Sequence, residues 1–88
     1  MLRELRKDDY MDYLLLLKQM NNIEPNISID MFWLKYQLIK NNGGIIYICE
    51  TEDMIVGTVK ILHEVKFYDD IVHVEDVVVD SRCRKQGV

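Results

Sequence analysis

The sequence predicts an α/β fold (α+β, with one mixed sheet), and two observations carry that prediction. Apolar residues recur at helical spacing between residues 10 and 39, and β-branched residues dominate three later runs. Two helices followed by an antiparallel meander of strands favour an α+β or mixed α/β sandwich.

The first half of the chain is predicted to form a short strand and two helices. The segment LRELR (2–6) is typical of a short edge strand. Asp8 or Asp9 can cap the first helix, and Ser28 can cap the second. The apolar positions of the first helix are Tyr10, Tyr13, Leu14, Leu17 and Met20, and those of the second are Ile29, Phe32, Trp33, Tyr36 and Ile39. The sequence NNGG (41–44) ends the second helix with residues that tolerate positive φ.

The second half changes to the period of β-strands. The runs 45–50, 54–68 and 71–80 are predicted as three strands, with acidic turns at 52–53 and 69–70. The predicted order of elements is therefore β-α-α-β-β-β. A loop rich in Arg, Lys and Gly follows the last strand.

Composition excludes several classes of protein. Apolar residues make up 49% of the 88 residues and charged residues 30%, which is typical of a globular domain. The net charge of −4 argues against a nucleic-acid partner, which requires a basic surface. We expect no membrane segment, because no apolar run approaches about 20 residues. The two cysteines and two histidines form no metal-ligand pattern, and the start of the chain has no signal-peptide core. We expect a cytoplasmic location.

The most informative stretch is HVEDVVVDSRCRKQGV (73–88). Three valines end a strand, and a basic loop that contains Gly87 follows. A strand that leads into such a loop and then a helix can bind phosphate, because backbone N–H groups converge there and glycine permits close approach. Taken alone, this pattern fits an ordinary basic turn better.

In its context, the stretch resembles the GNAT superfamily of N-acetyltransferases. Arg84-x-x-Gly87-x is similar to the first five places of the R/Q-x-x-G-x-G/A loop of that superfamily, and it follows the fourth predicted strand. VEDVVV (74–79) resembles the fourth strand of the glucosamine-6-phosphate N-acetyltransferase family, and Lys66-Phe67 resembles the end of that family's third strand. The resemblance implies that residues 1–88 form a single incomplete GNAT domain, truncated before the helix that follows the fourth strand.

The resemblance also implies roles for individual residues. Val77, Val78 and Val79 would pair with the pantetheine arm of acetyl-CoA, and the loop Arg84, Lys85, Gln86, Gly87 and Val88 would surround its pyrophosphate. Glu75 and Asp76 would lie beside the amine of the sugar as the catalytic pair. The sugar phosphate and ring would meet Asn21, Asn22, Lys66, Phe67, Tyr68 and Asp69. Asp69 stands where the family commonly has histidine. Because Glu75 and Asp76 are adjacent on a strand, they are predicted to point to opposite faces of the sheet.

The activity implied by the resemblance is direct acetyl transfer from acetyl-CoA to the amine of glucosamine 6-phosphate, a step of amino-sugar metabolism, without a metal ion. Family members are commonly homodimers. Two alternatives remain. The chain could acetylate another small amine or a protein amine, or it could be a silent fragment that serves as a dimerising or CoA-binding module. An 88-residue form that ends at Val88 is itself expected to be a poor catalyst.

Overall fold

The computed structural model describes residues 1–21, 26–52 and 54–81. Within these residues, the chain forms two α-helices, a short 3-10 turn and a sheet in the order β1-β2-β3-β4. Each neighbouring pair of these strands is antiparallel. The predicted order of elements is confirmed, with these bounds: β1 (Leu2–Glu4), the 3-10 turn (Lys7–Asp9), α1 (Tyr10–Asn21), α2 (Ile29–Asn41), β2 (Gly44–Thr51), β3 (Met54–Glu64) and β4 (Ile71–Val79).

The third strand is shorter than predicted. The sequence pattern extended it to residue 68, but β3 ends at Glu64, which pairs with Ile71 at the start of β4. The side chains of residues 65–70 are exposed. The alternation of apolar and polar residues in this segment therefore does not mark a strand with one buried face. The Asp70 carboxylate accepts a hydrogen bond from the Lys66 N–H at 3.4 Å, which helps to turn the chain between the two strands.

The helix ends follow the predicted capping residues, with one difference. Ser28 Oγ accepts the Met31 N–H at 3.1 Å and caps α2 as expected. Asp9 does not cap α1 itself, because it lies inside the preceding 3-10 turn and accepts the Arg6 N–H at 2.7 Å. After α2, Gly43 adopts φ +89°, and an added Cβ would lie 2.4 Å from the His63 carbonyl oxygen, so this turn requires glycine.

The core lies between the helices and one face of the sheet. Phe32 and Tyr36 of α2 are buried against Ile46 and Ile48 of β2, and α1 contributes Leu16. Met20 of α1 and Ile29 of α2, both apolar positions at helical spacing, are exposed. The other face of the sheet leaves large apolar side chains exposed, among them Val72, Val74 and Val77.

An ion-pair network joins the start of the chain to the end of β2. The Arg3 guanidinium donates to both carboxylate oxygens of Asp9, at 2.8 and 2.9 Å, and to Glu50 at 3.2 Å. The side chains of Arg3 and Asp9 are largely buried. Burial alone would raise the pKa of Asp9, but hydrogen bonds from the Arg3 side chain and the Arg6 backbone outweigh it and hold that pKa below its ordinary value.

Tyr36 completes the hydrogen bonding of β2 beyond the end of β1. Its hydroxyl accepts the Ile46 N–H at 3.2 Å and donates to Glu4 Oε2 at 2.7 Å. Since β1 ends at Glu4, the ladder between β1 and β2 supplies no acceptor for this N–H. The Tyr36 hydroxyl therefore accepts the Ile46 N–H in place of a carbonyl from a neighbouring strand.

We expect Tyr36→Phe to destabilise the fold by about 1–3 kcal/mol, because it leaves the buried Ile46 N–H without an acceptor. Urea denaturation of the variant and the parent chain measures this difference. Tyr68→Phe is the matched control, since the Tyr68 side chain is almost fully exposed, and it should change stability by less than about 0.5 kcal/mol. Equal stability of the two variants would contradict the role of the Tyr36 hydroxyl.

Candidate functional site

A β-bulge lies in β4 at the two acidic residues predicted to act in catalysis. Lys60 pairs with Glu75 and Thr58 pairs with Val78, so Asp76 and Val77 together oppose the single residue between Thr58 and Lys60. Asp76 adopts φ +52°, a left-handed conformation that aspartate tolerates better than most residues. The strand therefore does not alternate regularly at this point.

The bulge brings both carboxylates to one side chain. Lys60 Nζ lies 3.5 Å from Glu75 Oε1 and 3.3 Å from Asp76 Oδ2. The prediction that Glu75 and Asp76 point to opposite faces is wrong, because the extra residue in β4 interrupts the period of two on which it depended. Both carboxylates remain about half exposed, so a small amine can reach them.

Tyr13 of α1 borders the same group of charges. Its side chain is buried, and burial raises its pKa to about 12, with a further contribution from the negative charge of Asp76. Lys60, which Asp76 contacts, pairs with the buried Ile46 of β2, so this group of charges lies on the covered side of the sheet. The Thr58 hydroxyl, which donates to the Tyr47 carbonyl at 2.9 Å, also borders Tyr13.

The segment Val77–Val79 lies at an edge of the described sheet. Val78 is buried in the core. The Asp80 N–H donates to the Val56 carbonyl at 2.8 Å, so the backbone groups of Val79, one residue earlier, point away from β3. Within the described residues, no other strand pairs with this edge. An extended ligand with amide groups can therefore hydrogen-bond along it.

A glutamine on α1 holds the end of β4. The Gln19 side chain accepts the Ser81 N–H at 2.9 Å and donates to Asp80 Oδ2 at 3.4 Å. A cavity of about 570 Å³ opens beside these contacts, and Leu15 and Ile55 contribute to its walls. Gln19 thereby fixes the point at which the chain leaves the sheet toward the predicted phosphate loop. The loop residues themselves, Arg84, Lys85, Gln86, Gly87 and Val88, lie outside the described part of the chain.

The residues predicted to bind the sugar phosphate are not gathered around Glu75 and Asp76. Lys66, Phe67, Tyr68 and Asp69 form the exposed connection between β3 and β4. Ile71, where β4 begins, precedes Glu75 by four residues, which at about 3.3 Å per residue is about 13 Å. Lys66 Nζ lies 3.7 Å from Glu64 instead. Asn21 is the last residue of α1, and Asn22 lies outside the described residues.

Sequence reasoning missed Lys60, Tyr13 and Gln19 as parts of this region. Lys60 carries the clearest signal, because it is a charged residue inside the apolar run MIVGTVKIL (54–62). Tyr13 and Gln19 lie at ordinary helix positions, and no pattern of spacing distinguishes them from core or solvent-facing residues.

The described residues contain neither a membrane-spanning helix nor a cluster of metal ligands. No helix among them is long and apolar enough to cross a bilayer. The same ranges of the chain contain no cluster of three or more His, Cys, Asp or Glu side chains arranged to hold a metal ion.

Comparison with known proteins places this geometry in a family. The structure is similar to an acetyltransferase of Trypanosoma brucei, with 27% sequence identity and a TM-score of 0.86, over 99% of this chain and 64% of that one. It is also similar to glucosamine-6-phosphate N-acetyltransferase of Arabidopsis thaliana, with 27% identity and a TM-score of 0.83, over 100% of this chain and 65% of that one.

An aminoglycoside acetyltransferase from an uncultured soil metagenomic sample has the same fold at 18% identity, with a TM-score of 0.72, over 100% of this chain and 60% of that one. This chain therefore spans slightly less than two thirds of the length of these relatives. Residues 2–88 match the profile of the acetyltransferase (GNAT) family. The chain belongs to the GNAT family of acetyltransferases.

Proposed function

We propose that the protein is an acetyl-CoA-dependent N-acetyltransferase whose acceptor is a small amine, with glucosamine 6-phosphate as the first candidate. One observation carries the proposal. The bulge in β4 presents Glu75 and Asp76 together on one side of the strand, directly before the free edge at Val77–Val79. Carboxylates that can orient an amine thus adjoin a backbone edge that can hold the acyl donor.

The donor is proposed to lie along that edge. The pantetheine arm contains amide groups, and the outward backbone groups of Val79 can pair with them as a neighbouring strand would. The pyrophosphate would then reach the loop Arg84, Lys85, Gln86, Gly87 and Val88, which follows the segment held by Gln19. Backbone N–H groups, two cationic side chains and Gly87 suit that loop to a diphosphate.

The chemistry follows from this arrangement. The amine must be neutral to attack the thioester carbonyl, and a carboxylate within hydrogen-bonding reach can orient it and accept its proton. A backbone N–H at the end of β4 can stabilise the negative oxygen of the tetrahedral intermediate. Holding donor and acceptor side by side supplies much of the remaining acceleration.

The amino-sugar phosphate is the finer part of the proposal. The VEDVVV sequence and the 27% identity to the Arabidopsis glucosamine-6-phosphate N-acetyltransferase support it. The position of Lys66 is less favourable, because it lies in the connection beyond Ile71, about 13 Å of strand from Glu75, and its ammonium lies 3.7 Å from Glu64. Contact of Lys66 with the phosphate therefore depends on an extended lysine side chain that has left Glu64, on a rearranged hairpin or on the hairpin of a second copy.

Acceptor preference and Lys66→Ala test this proposal. In the full-length protein, thiol release from acetyl-CoA should be faster with glucosamine 6-phosphate than with glucosamine, aminoglycosides or peptide amines. Lys66→Ala should raise the KM for glucosamine 6-phosphate by about 10- to 150-fold, because a charged hydrogen bond contributes about 1.5–3 kcal/mol. The KM for acetyl-CoA should stay unchanged.

Unphosphorylated glucosamine is the internal control. If its KM rises as much as that of glucosamine 6-phosphate, Lys66 does not recognise phosphate. Absence of thiol release with every amine would contradict the activity as a whole and leave the alternative of a silent CoA-binding module.

The separation of the hairpin from Glu75 favours a second candidate, acetylation of another small amine or a protein amine. Such an acceptor needs the two carboxylates but no phosphate contact at Lys66. Preference for a phosphate-free amine in the same panel, with no effect of Lys66→Ala, would favour it.

We also propose that the protein acts in the cytoplasm as a homodimer. Exposed apolar side chains on α1, Met11 and Leu15, and on the open sheet face support self-association. Sedimentation velocity of the full-length protein distinguishes a dimer from a monomer.

A further inference from the structure

Lys60 is the one charged side chain that contacts both proposed catalytic carboxylates among the described residues. It lies in the middle of β3, where it pairs with Glu75 across the ladder. Its side chain is only 23% exposed, so most of its length is packed against the protein. A buried stem with its ammonium aimed at two carboxylates is a fixed geometry rather than a solvated surface lysine.

The charged and titratable groups that surround this point come from three elements. Tyr13 approaches from α1, Lys60 from β3, and Glu75 and Asp76 from β4. Tyr13 is neutral at physiological pH, because burial and then the charge of Asp76 raise its pKa to about 12. The ammonium of Lys60 offsets the charge of one carboxylate. The three side chains together therefore carry one excess negative charge instead of two.

That difference matters for an amine acceptor. Two carboxylates without a counter-charge would favour the ammonium form of a bound amine, which cannot attack a thioester. A cation next to them opposes this effect. It also keeps the carboxylates from separating, since they would otherwise repel each other across the bulge.

We infer that Lys60 is a positioning residue for the acceptor: it holds Glu75 and Asp76 on one side of β4 and offsets part of their charge, which favours the neutral, reactive form of the amine. This inference rests on the proposed acetyl transfer to an amine. It adds a determinant of the pH range in which transfer occurs.

The dependence of kcat on pH tests the inference. When glucosamine 6-phosphate and acetyl-CoA are both saturating, kcat falls toward low pH as a group in the ternary complex becomes protonated. This fall is the acid limb of the pH profile. Lys60→Met keeps the apolar stem and removes the charge. It should move the acid limb upward by about one to two pH units, the effect expected for a unit charge about 6 Å from the amine. Lys60→Arg should return the limb close to its original position.

Two further variants keep the result interpretable. Lys35→Met removes an exposed lysine from α2 and should leave the acid limb where it is. If circular dichroism shows that Lys60→Met does not fold, Lys60→Gln replaces it, because glutamine still donates to the carboxylates without carrying charge. The same upward displacement is expected of that variant.

The outcomes separate the two proposals. If a folded Lys60→Met or Lys60→Gln enzyme turns over with an unshifted acid limb, the inference is overturned while the acetyl transfer stands. If the parent enzyme transfers acetyl to no amine, the proposed function fails and the inference falls with it. A loss of kcat at all pH values without displacement of the limb would also overturn the charge effect, because a purely structural role produces that result.

Discussion

Replacing both acidic residues of the bulge, as Glu75→Gln with Asp76→Asn, is expected to lower kcat for acetyl transfer by about 10²- to 10⁴-fold. The carboxylates are proposed to orient the amine and to accept its proton, and a positioned base typically contributes an acceleration of that size. Amides keep the size of the side chains but are poor proton acceptors. Asparagine also tolerates the left-handed backbone that Asp76 adopts, so the bulge should persist.

The measurement is thiol release under saturating conditions, with the fold of the variant monitored by its thermal transition. Glu64→Gln is the matched control, because Glu64 ends β3 in the same sheet and contacts Lys66 and His73 rather than Lys60. It should leave kcat within about threefold of the parent value. A double variant that retains more than a tenth of the parent kcat would mean that these carboxylates do not perform the proton transfer.

The second large effect is expected on stability, from Arg3→Met. Removing the guanidinium takes two of its three hydrogen bonds from the largely buried Asp9 carboxylate and leaves only the Arg6 N–H, and breaking a buried pair in this way destabilises a protein strongly. We expect a loss of about 3 kcal/mol at neutral pH, at the lower end of the usual range because Glu50 remains partly exposed. That loss is a large fraction of the total for a small domain, which is about 5–15 kcal/mol.

The effect of Arg3→Met should depend on pH in a definite direction. Hydrogen bonds from Arg3 lower the pKa of Glu50, and those from Arg3 and Arg6 outweigh burial to lower that of Asp9. A lowered folded-state pKa contributes stability that is present above the unfolded value, about 4, and is lost as the pH falls through the folded value. The difference between parent and variant should therefore narrow below about pH 4.

Urea denaturation at pH 7 and at pH 3 measures both parts of this prediction. Lys7→Met provides the control, because the Lys7–Asp30 pair is exposed and separated by 3.6 Å, and exposed pairs contribute about 0–1 kcal/mol. If Arg3→Met lowers the free energy of unfolding at pH 7 by no more than Lys7→Met does, the network between β1, the 3-10 turn and β2 does not stabilise the fold.

The fold was largely predictable, because its elements bury regular faces. The helical spacing of Phe32 and Tyr36, the cap at Ser28 and the glycines at 43–44 set the bounds of α2 closely. The error in β3 has a physical cause. Val65–Tyr68 continue an alternating pattern, but a pattern predicts a strand only where one face is buried, and the sequence does not tell where the neighbouring strand begins.

The candidate site was predictable in its residue types and not in its geometry. The Glu75-Asp76 pair was found from its resemblance to a family, whereas its convergence on Lys60 depends on a bulge that appears in no local pattern. Whether a strand carries one extra residue is decided by the pairing of Thr58 with Val78 and of Lys60 with Glu75. That pairing depends on tertiary packing against α1, which a single sequence does not encode in its spacing.

The bulge also determines which changes in β4 the sheet can accept. It separates the ladder into two parts with independent registers, one that runs from Ile71 to Glu75 and one that includes Val78 and Val79. Substitutions at Asp76 therefore alter the chemistry offered to an acceptor without shifting either part. Deletion of this residue would instead leave Val77 alone opposite the residue between Thr58 and Lys60, so the two parts would join into one regular ladder and keep their present partners. The sheet would then keep every other side chain on its present face and lose only the left-handed residue whose carboxylate contacts Lys60.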